Sequence, residues 1–204
     1  MSTPTTYRVN EIFHSLQGEG RHTGRAAVFV RFAGCNLRCP FCDTQFDSYS
    51  ELTAQQIVDQ VCCHPTRFVV LTGGEPTLQA DEALVDLLHR QGREVAMESN
   101  GTRPAPQSLD WLTVSPKGDR CEVVCQRWPR QPDELKLVFD EHTDPAAFLL
   151  AHATLPMPPY LYLQPCDTGN AQRNARIVQA CVEYIKQHPQ WRLSLQTHKL
   201  ISIP

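Results

Sequence analysis

Residues 27–42 read AVFVRFAGCNLRCPFC, and both the fold class and the chemistry expected of this chain follow from them. The stretch opens on apolar residues that are mostly β-branched or aromatic, a composition that predicts a buried strand. Three thiols come next, at Cys35, Cys39 and Cys42, with no fourth cysteine in step. Structural zinc sites and ordinary 4Fe-4S clusters take four protein ligands. The trio therefore favours a metal centre that keeps one position open.

The cysteines by themselves leave two other interpretations open. A zinc-binding interaction module could complete its site with an imidazole from His14, His22 or His64. The thiols could also be unligated. The rest of the sequence has to decide among the three.

Length and composition narrow the class of protein. The 204 residues, 41% of them hydrophobic, predict a single domain spanning residues 1–204 with one buried core. Nineteen basic against twenty-two acidic side chains give a net charge of −3, so no bulk field favours nucleic acid or an anionic membrane. No apolar run approaches the ~20 residues of a membrane span, and the polar start lacks a signal-peptide pattern, which predicts a cytoplasmic protein.

Nine cysteines, an odd number without an export signal, indicate metal ligands and free thiols rather than a disulfide framework. Cys62, Cys63 and Cys181 are expected on apolar helix faces, where free cysteine behaves as a small hydrophobe. Cys121 and Cys125 lie in a polar stretch and are interpreted as incidental loop cysteines.

Apolar runs alternate with helical periods, which predicts βα units and a mostly parallel sheet. The predicted strands are Ala27–Phe32, Phe68–Leu71, Glu94–Met97, Trp111–Val114, Leu135–Phe139, Tyr160–Leu163 and Trp191–Leu195. The predicted helices are Ala54–Cys63, Asp81–Arg90 and Asn174–Gln187, with Thr53 as a cap and Gly92 as a stop signal. Six or seven strands with fewer helices predict an α/β fold in the form of an incomplete, open βα barrel.

Polar or glycine-rich strings follow five of these strands. They are the cysteine loop, Thr72 to Pro76, Glu98 to Gly101, Ser115 to Lys117, and Gln164 to Asp167. Because the carboxyl ends of parallel strands meet at one edge of a sheet, these strings should form one site there.

Several strings resemble those of known enzymes. The Cys-x3-Cys-x2-Cys loop with Phe41 before its last cysteine resembles the cluster loop of the radical S-adenosylmethionine (SAM) superfamily, and Gly73-Gly74-Glu75 resembles its GGE motif. Ser15 to Gly20, Cys42-Asp43-Thr44 and Gln196 to Lys199 extend the likeness over nearly the whole chain to the 7-carboxy-7-deazaguanine synthase family.

This resemblance implies a reaction and its cofactors. A 4Fe-4S cluster with SAM on its open iron would convert 6-carboxy-5,6,7,8-tetrahydropterin to 7-carboxy-7-deazaguanine, in queuosine and 7-deazapurine biosynthesis. Hydrogen would be removed from C6, the ring would contract with loss of ammonia, and Mg2+ would assist. The resemblance also implies a homodimer and a flavodoxin or ferredoxin-type electron donor.

The same resemblance assigns roles to individual residues. Cys35, Cys39 and Cys42 would hold the cluster, and Thr44 the Mg2+ ion. SAM and cluster contacts would come from Phe41, Cys42, Asp43, Gly74, Glu75, Glu98, Ser115, Pro116, Lys117 and Gln164. The pterin would meet Leu16, Gln17, Gly18, Arg31 and Thr72. As a further hypothesis, the carboxylate of Pro204 reaches back to the guanidine-like edge of the pterin.

Purely structural roles are also open to some of these residues, since Arg31 could pair with a core carboxylate and Thr44 could cap a local turn. For the whole chain, the enzyme rival is a glycyl-radical enzyme activase, which has a similar cluster loop, and the non-enzymatic rival is the zinc-binding module.

Overall fold

The computed structural model describes residues 5–42, 44–45, 48–117, 131–153 and 157–204. In these ranges a single sheet contains nine strands. They are β1 Thr6–Leu16, β2 Ala26–Phe32, β3 Ser50–Thr53, β4 Phe68–Gly73, β5 Glu94–Ser99, β6 Trp111–Val114, β7 Glu134–Phe139, β8 Tyr160–Pro165 and β9 Trp191–Leu193.

The strand order is β3-β1-β2-β4-β5-β6-β7-β8-β9. From β2 to β9 every neighbouring pair is parallel, whereas β1 is antiparallel to both β2 and β3. The prediction of an open, mostly parallel α/β sheet is confirmed.

Of the helices in the described residues, four lie in connections between strands and the last follows β9. They are α1 Ala54–Cys62, α2 Glu82–Arg90, α3 Pro145–Ala151, α4 Ala171–Gln187 and α5 Thr197–Leu200, with short 3-10 turns at Gly20–His22 and Pro76–Leu78. A reciprocal capping box between Thr53 and Gln56 begins α1, and the Asp81 carboxylate caps α2 by accepting from the backbone of Leu84.

Alternation along the strands separates a helix-covered face from a second face. On β2, Val28 and Val30 belong to the main core with α1 and α2, whereas Ala27 and Phe29 belong to a smaller cluster on the opposite face. Because side chains alternate with a period of two, Arg31 continues the second face. Thr72 and Glu98 continue it near the carboxyl ends of β4 and β5, and Lys136 continues it in the middle of β7.

The structure adds elements that the sequence patterns did not predict. Strand β1 was missed because a β-bulge between Val9 and Glu11 interrupts its alternation, and β3 because it has four largely polar residues. Helix α3 was missed although Asp144 and Pro145 form a helix-start signal.

Two of the predictions for buried cysteines are wrong. Cys62 and Cys63 are exposed, because the buried face of α1 consists of Ile57, Val58 and Val61. Cys181 is buried, as predicted. Cys121 and Cys125 lie outside the described residues. In the described part of the chain, no helix has the length and apolar character needed to cross a membrane.

Candidate active site

A cleft of about 680 Å³ opens at the carboxyl ends of the parallel strands. Its walls come from all five predicted strand ends, and also from the end of β1 and from the last residues of the chain. The predicted site residues that line it are Leu16, Gln17, Gly18, Arg31, Cys35, Cys39, Phe41, Cys42, Thr44, Thr72, Gly74, Glu98, Ser115, Lys117, Gln164 and Pro204. The sheet therefore brings together residues that lie far apart in the sequence.

The three thiols lie on one loop after β2. Cys35 and Cys39 are half-buried and Cys42 is exposed, and the backbone N–H of Cys42 donates to the carbonyl of Cys39 at 3.1 Å. The Cys35 sulfur accepts from the backbone N–H of Leu37 at 3.4 Å and, more weakly, from the Asn100 side chain at 4.0 Å. Burial raises the pKa of the Cys35 thiol, so its thiolate depends on such donors or on a metal.

The paired glycines let the loop after β4 pack directly onto the cysteine loop. Gly73 has φ +134°, and a Cβ there would lie 2.2 Å from the carbonyl oxygen of Phe32. A Cβ on Gly74 would lie 2.1 Å from the carbonyl oxygen of Gly34. The Gly74 N–H donates to the Phe32 carbonyl at 3.1 Å, and the next N–H donates to Gly34 at 2.9 Å. Side chains at either position would separate the two loops.

Glu75 is fully buried and holds neighbouring loops together. One carboxylate oxygen accepts from the Thr77 N–H at 3.0 Å, the Thr77 hydroxyl at 2.6 Å and the Ser99 hydroxyl at 2.8 Å. The other accepts from the Asn100 N–H at 2.7 Å. Its carboxylate thus joins the GGE loop to the loop after β5.

A buried ion network lies across the cleft. The Lys136 ammonium donates to Glu19 at 2.5 Å and to Glu98 at 2.9 Å, and the lysine side chain is 4% exposed. Burial alone would raise the pKa of Glu19, but the Lys136 charge and hydrogen bonds from Lys136 and Gln196 lower it to about 2. Despite burial, the two glutamates and Glu134 raise the pKa of Lys136. Lys136 and Glu19 therefore form an ionised pair at neutral pH.

Two further groups in this region have shifted pKa values. Burial is the largest cause, and the negative charge of Glu98 the second, of a rise in the pKa of Glu134 to about 7. One oxygen of Glu134 accepts from the Arg21 N–H at 3.0 Å, and the other, buried, oxygen has no hydrogen-bond partner among the described residues. Burial and the nearby Lys136 lower the pKa of Lys117, whose ammonium donates to the Ser115 hydroxyl at 2.5 Å.

The comparisons with known proteins agree with this geometry. A family model described as the radical SAM superfamily matches residues 29–118, which include the cysteine loop and the loops after β4, β5 and β6. A 7-carboxy-7-deazaguanine synthase from Bacteroides thetaiotaomicron is 46% identical, covering 96% of this chain and 98% of its own length. One from Bordetella pertussis is 48% identical, covering 97% and 99%. The chain belongs to the 7-carboxy-7-deazaguanine synthase family.

A solved structure supports the same assignment at the level of the fold. The crystal structure of QueE from Escherichia coli superposes with a TM-score of 0.75 at 28% sequence identity, covering 95% of each chain. The predictions of the radical SAM superfamily and of the synthase family are confirmed. The glycyl-radical activase and zinc-module interpretations of the whole chain are not supported.

The cysteine loop fits the cluster that the superfamily implies. Three thiols face one cleft, and N–H donors point at one of them. Among the described residues, no three His, Cys, Asp or Glu side chains converge closely enough to hold a single metal ion. A fourth thiol, Cys166, also lines the cleft, but it follows β8, five strands from β2 in the sheet order. Cys166 lies in the predicted string Gln164 to Asp167, where no ligand role was predicted for it.

Most of the predicted site residues line the cleft in this family's fold, with three exceptions. Asp43 lies outside the described residues. Pro116 is buried and does not line the cleft. Glu75 does not line it either, and its buried carboxylate accepts hydrogen bonds from Thr77, Ser99 and Asn100.

Several residues predicted to bind the pterin make contacts within the protein itself. The Arg31 guanidinium binds Glu11 at 2.7 Å, and because the Glu11 side chain is 49% exposed, this partner is not the core carboxylate that the alternative interpretation expected. The Ser15 hydroxyl donates to the backbone oxygen of Pro204 at 2.8 Å, so the last residue lies beside the segment after β1. The Thr197 hydroxyl donates to the Gly18 carbonyl at 2.8 Å, which fixes that segment from the other side.

Sequence reasoning missed the ion network. Glu19, Lys136 and Gln196 line the cleft, and none of them was predicted as a site residue. Glu19 lies inside the Ser15 to Gly20 string and Gln196 begins the Gln196 to Lys199 string, so both strings carried a usable signal. Lys136 had none, because it is a single charged residue among the apolar residues of the predicted strand Leu135–Phe139.

Proposed function

We propose that this protein converts 6-carboxy-5,6,7,8-tetrahydropterin to 7-carboxy-7-deazaguanine with loss of ammonia, in the formation of queuosine and other 7-deazapurines. The observation that carries the proposal is the coincidence of two facts. Two relatives named 7-carboxy-7-deazaguanine synthase align with nearly the whole chain at 46% and 48% identity. The cysteine loop and the glycine pair, which resemble motifs of the superfamily, line a single cleft.

The cluster would be held by Cys35, Cys39 and Cys42. When bound, it supplies the electron that splits SAM into methionine and a 5′-deoxyadenosyl radical, which removes hydrogen from C6 of the pterin. The chain's own residues bind, orient and exclude water, and such positioning is what a protein contributes to cofactor chemistry.

Polar groups of the cleft are suited to the two organic ligands. Ser115 and Glu98 offer a donor and an acceptor for the methionyl and ribosyl parts of SAM, and Lys117 offers a cation for its carboxylate. The depressed pKa of Lys117 means that an incoming carboxylate would stabilise its charged form. Gln164 completes this set beside the adenine.

The pterin would lie against the segment after β1. Gln17 and Gly18 present amide groups there, and Thr72 presents a hydroxyl. Arg31 would bind the substrate carboxylate as a fork after releasing Glu11. Pro204 would receive the guanidine-like edge of the pterin through its carboxylate.

Thr44 is the residue proposed for Mg2+, with the remaining oxygen ligands from substrate and water, as this ion prefers. The ion would stabilise charge that develops during ring contraction. A homodimer and a flavodoxin or ferredoxin-type electron donor complete the proposal.

The deciding experiment is turnover by anaerobically reconstituted protein. With SAM, reductant, Mg2+ and the carboxylated pterin, we expect 5′-deoxyadenosine and 7-carboxy-7-deazaguanine in step, measured by mass spectrometry. Cys39→Ala should lose the cluster's colour and both products. Cys62→Ala, which removes an exposed thiol of α1, is the matched control and should retain them. SAM cleavage without the deazapurine would refute the proposed substrate.

A further inference from the structure

Lys136 connects three segments that are far apart in the sequence. Its ammonium comes from β7, Glu98 from the end of β5, and Glu19 from the segment after β1. The contacts are 2.5 Å to Glu19 and 2.9 Å to Glu98, and the lysine side chain is almost fully buried. One cation therefore bridges strands at both sides of the cleft.

The carboxylate of Glu98 orients one amide. Its second oxygen accepts from the side-chain nitrogen of Gln17 at 3.0 Å. The oxygen of the same amide accepts from the Gly18 backbone N–H at 2.9 Å. Both ends of the Gln17 side chain are thus engaged, and its orientation depends on Glu98 staying in place.

The carboxylate of Glu19 orients two more amides. Its second oxygen accepts from the side-chain nitrogens of Gln164 at 3.1 Å and of Gln196 at 3.0 Å. The oxygen of the Gln164 amide accepts from the Ser194 hydroxyl at 2.9 Å. Gln164 is therefore fixed in the same manner as Gln17, through the other carboxylate that Lys136 holds.

We propose that Lys136 is a positioning residue of the pterin and SAM site, which fixes the amides of Gln17 and Gln164 by holding Glu98 and Glu19 in place. The inference rests on the proposed function, because these amides meet a ligand only if the cleft takes the pterin and SAM. Lys136 acts through its neighbours and needs no contact with the reacting atoms.

Removing this ammonium would leave an excess of negative charge. The ionisable groups that face Lys136, or lie within electrostatic reach of it and its partners, are Glu19, Glu98, Glu134, Lys117 and His198. Without Lys136, the buried carboxylates repel one another and take up protons at a higher pH. Ligand binding by the variant should then depend on pH more steeply than binding by the wild-type protein, in which Glu134 already titrates near pH 7.

The test compares Lys136→Met with wild-type holoenzyme between pH 6.5 and pH 8.5. At pH 8.5 we expect KM for the carboxylated pterin to rise roughly tenfold or more, with kcat less affected, because truncating one partner of a buried charged network leaves the others unpaired. The ratio of the variant's KM to the wild-type KM should decrease as the pH falls. Lys186→Met removes an exposed ammonium on α4 and should leave KM within about twofold at every pH.

Two outcomes overturn the proposal: a wild-type KM in Lys136→Met, or a raised KM that is the same across the pH range, as a merely structural role would give. If Lys136→Met does not fold, the double variant that combines Glu19→Gln with Lys136→Met removes both charges of this ion pair together. That variant should fold and keep a raised KM, because Gln164 and Gln196 lose their carboxylate partner. A wild-type KM there would also overturn the proposal.

Binding measured without turnover separates this inference from the proposed function. If wild-type holoenzyme forms no 7-carboxy-7-deazaguanine, the proposed function fails, and calorimetric binding of the carboxylated pterin decides the role of Lys136. Weaker, pH-dependent binding by Lys136→Met supports the positioning role. Equal binding, or binding by neither protein, overturns it.

Discussion

Replacing Glu75 by glutamine should destabilise the protein although the side chain keeps its shape. The carboxylate accepts four hydrogen bonds, three at one oxygen and one at the other. A glutamine keeps most of them if its carbonyl takes the place of the first oxygen. Its NH2 group then faces the backbone N–H of Asn100, which is held at 2.7 Å from the second oxygen in the native protein.

The cost of this substitution follows from those contacts. One hydrogen bond to a charged acceptor is lost, at about 1.5–3 kcal/mol, and a buried donor is left facing another donor. The three remaining bonds lose their charge assistance, which roughly halves each of them. Because a neutral amide costs less to bury than a carboxylate, part of these losses is offset, and Glu75→Gln should lower the free energy of unfolding by at least about 3 kcal/mol.

The assay is guanidinium unfolding of the cluster-free protein, read as a shift of the midpoint at constant slope. Glu183→Gln is the matched control, because Glu183 pairs with Lys186 on the exposed face of α4 and its loss should cost no more than about 0.5 kcal/mol. Equal midpoints for the two variants would refute the argument that Glu75 holds these loops together.

Three further predictions concern stability. Gly20→Ala should lower the free energy of unfolding by about 3 kcal/mol, since φ is +64° and a Cβ would lie 2.0 Å from a Glu134 oxygen. Gly24→Ala, at φ +84° in open space, should lower it by only about 1 kcal/mol. Equal losses of stability for the two variants in thermal melts would contradict the contact with Glu134. The Glu134 pKa is raised to about 7 from 4.5, so the folded protein binds this proton more tightly than the unfolded chain and stability falls as the pH rises through that window. Relative to wild type, Glu134→Gln should gain up to about 3 kcal/mol between pH 4.5 and pH 8 in denaturant titrations, and parallel curves would show that Glu134 does not titrate there. Tyr7→Phe should cost about 1 kcal/mol in the same titrations, because the hydroxyl donates to Asp81 at 2.8 Å, and an unchanged midpoint would show that this bond contributes nothing.

The central strands could be predicted because their signal is local. Buried strands of a parallel sheet carry continuous apolar runs, and β2, β4 and β6 were found within two residues of their actual ends. The antiparallel strand β1 could not be found in this way. Its bulge shifts the alternation, and only its pairing with β2 and β3 makes it a strand.

The candidate site also combines features that the sequence predicted with features that it did not. Cysteine spacing and the glycine pair are sequence features, and the rule for parallel sheets predicted that they would share an edge with Glu98 and Lys117. The support that Glu75 gives to the loops was not predicted. Its partners come from two different strand ends, and no local pattern states which donors a buried carboxylate will meet.

By itself, the sequence determined the thiol loop, the order of βα units and the family, because each depends on residues that are close together along the chain. Only the tertiary structure decided that Lys136 would lie between Glu19 and Glu98, which are 117 and 38 residues away from it. A buried lysine is tolerable only where opposite charges surround it, and their arrival depends on the strand order. The charge balance of the cleft is therefore a property of the folded sheet.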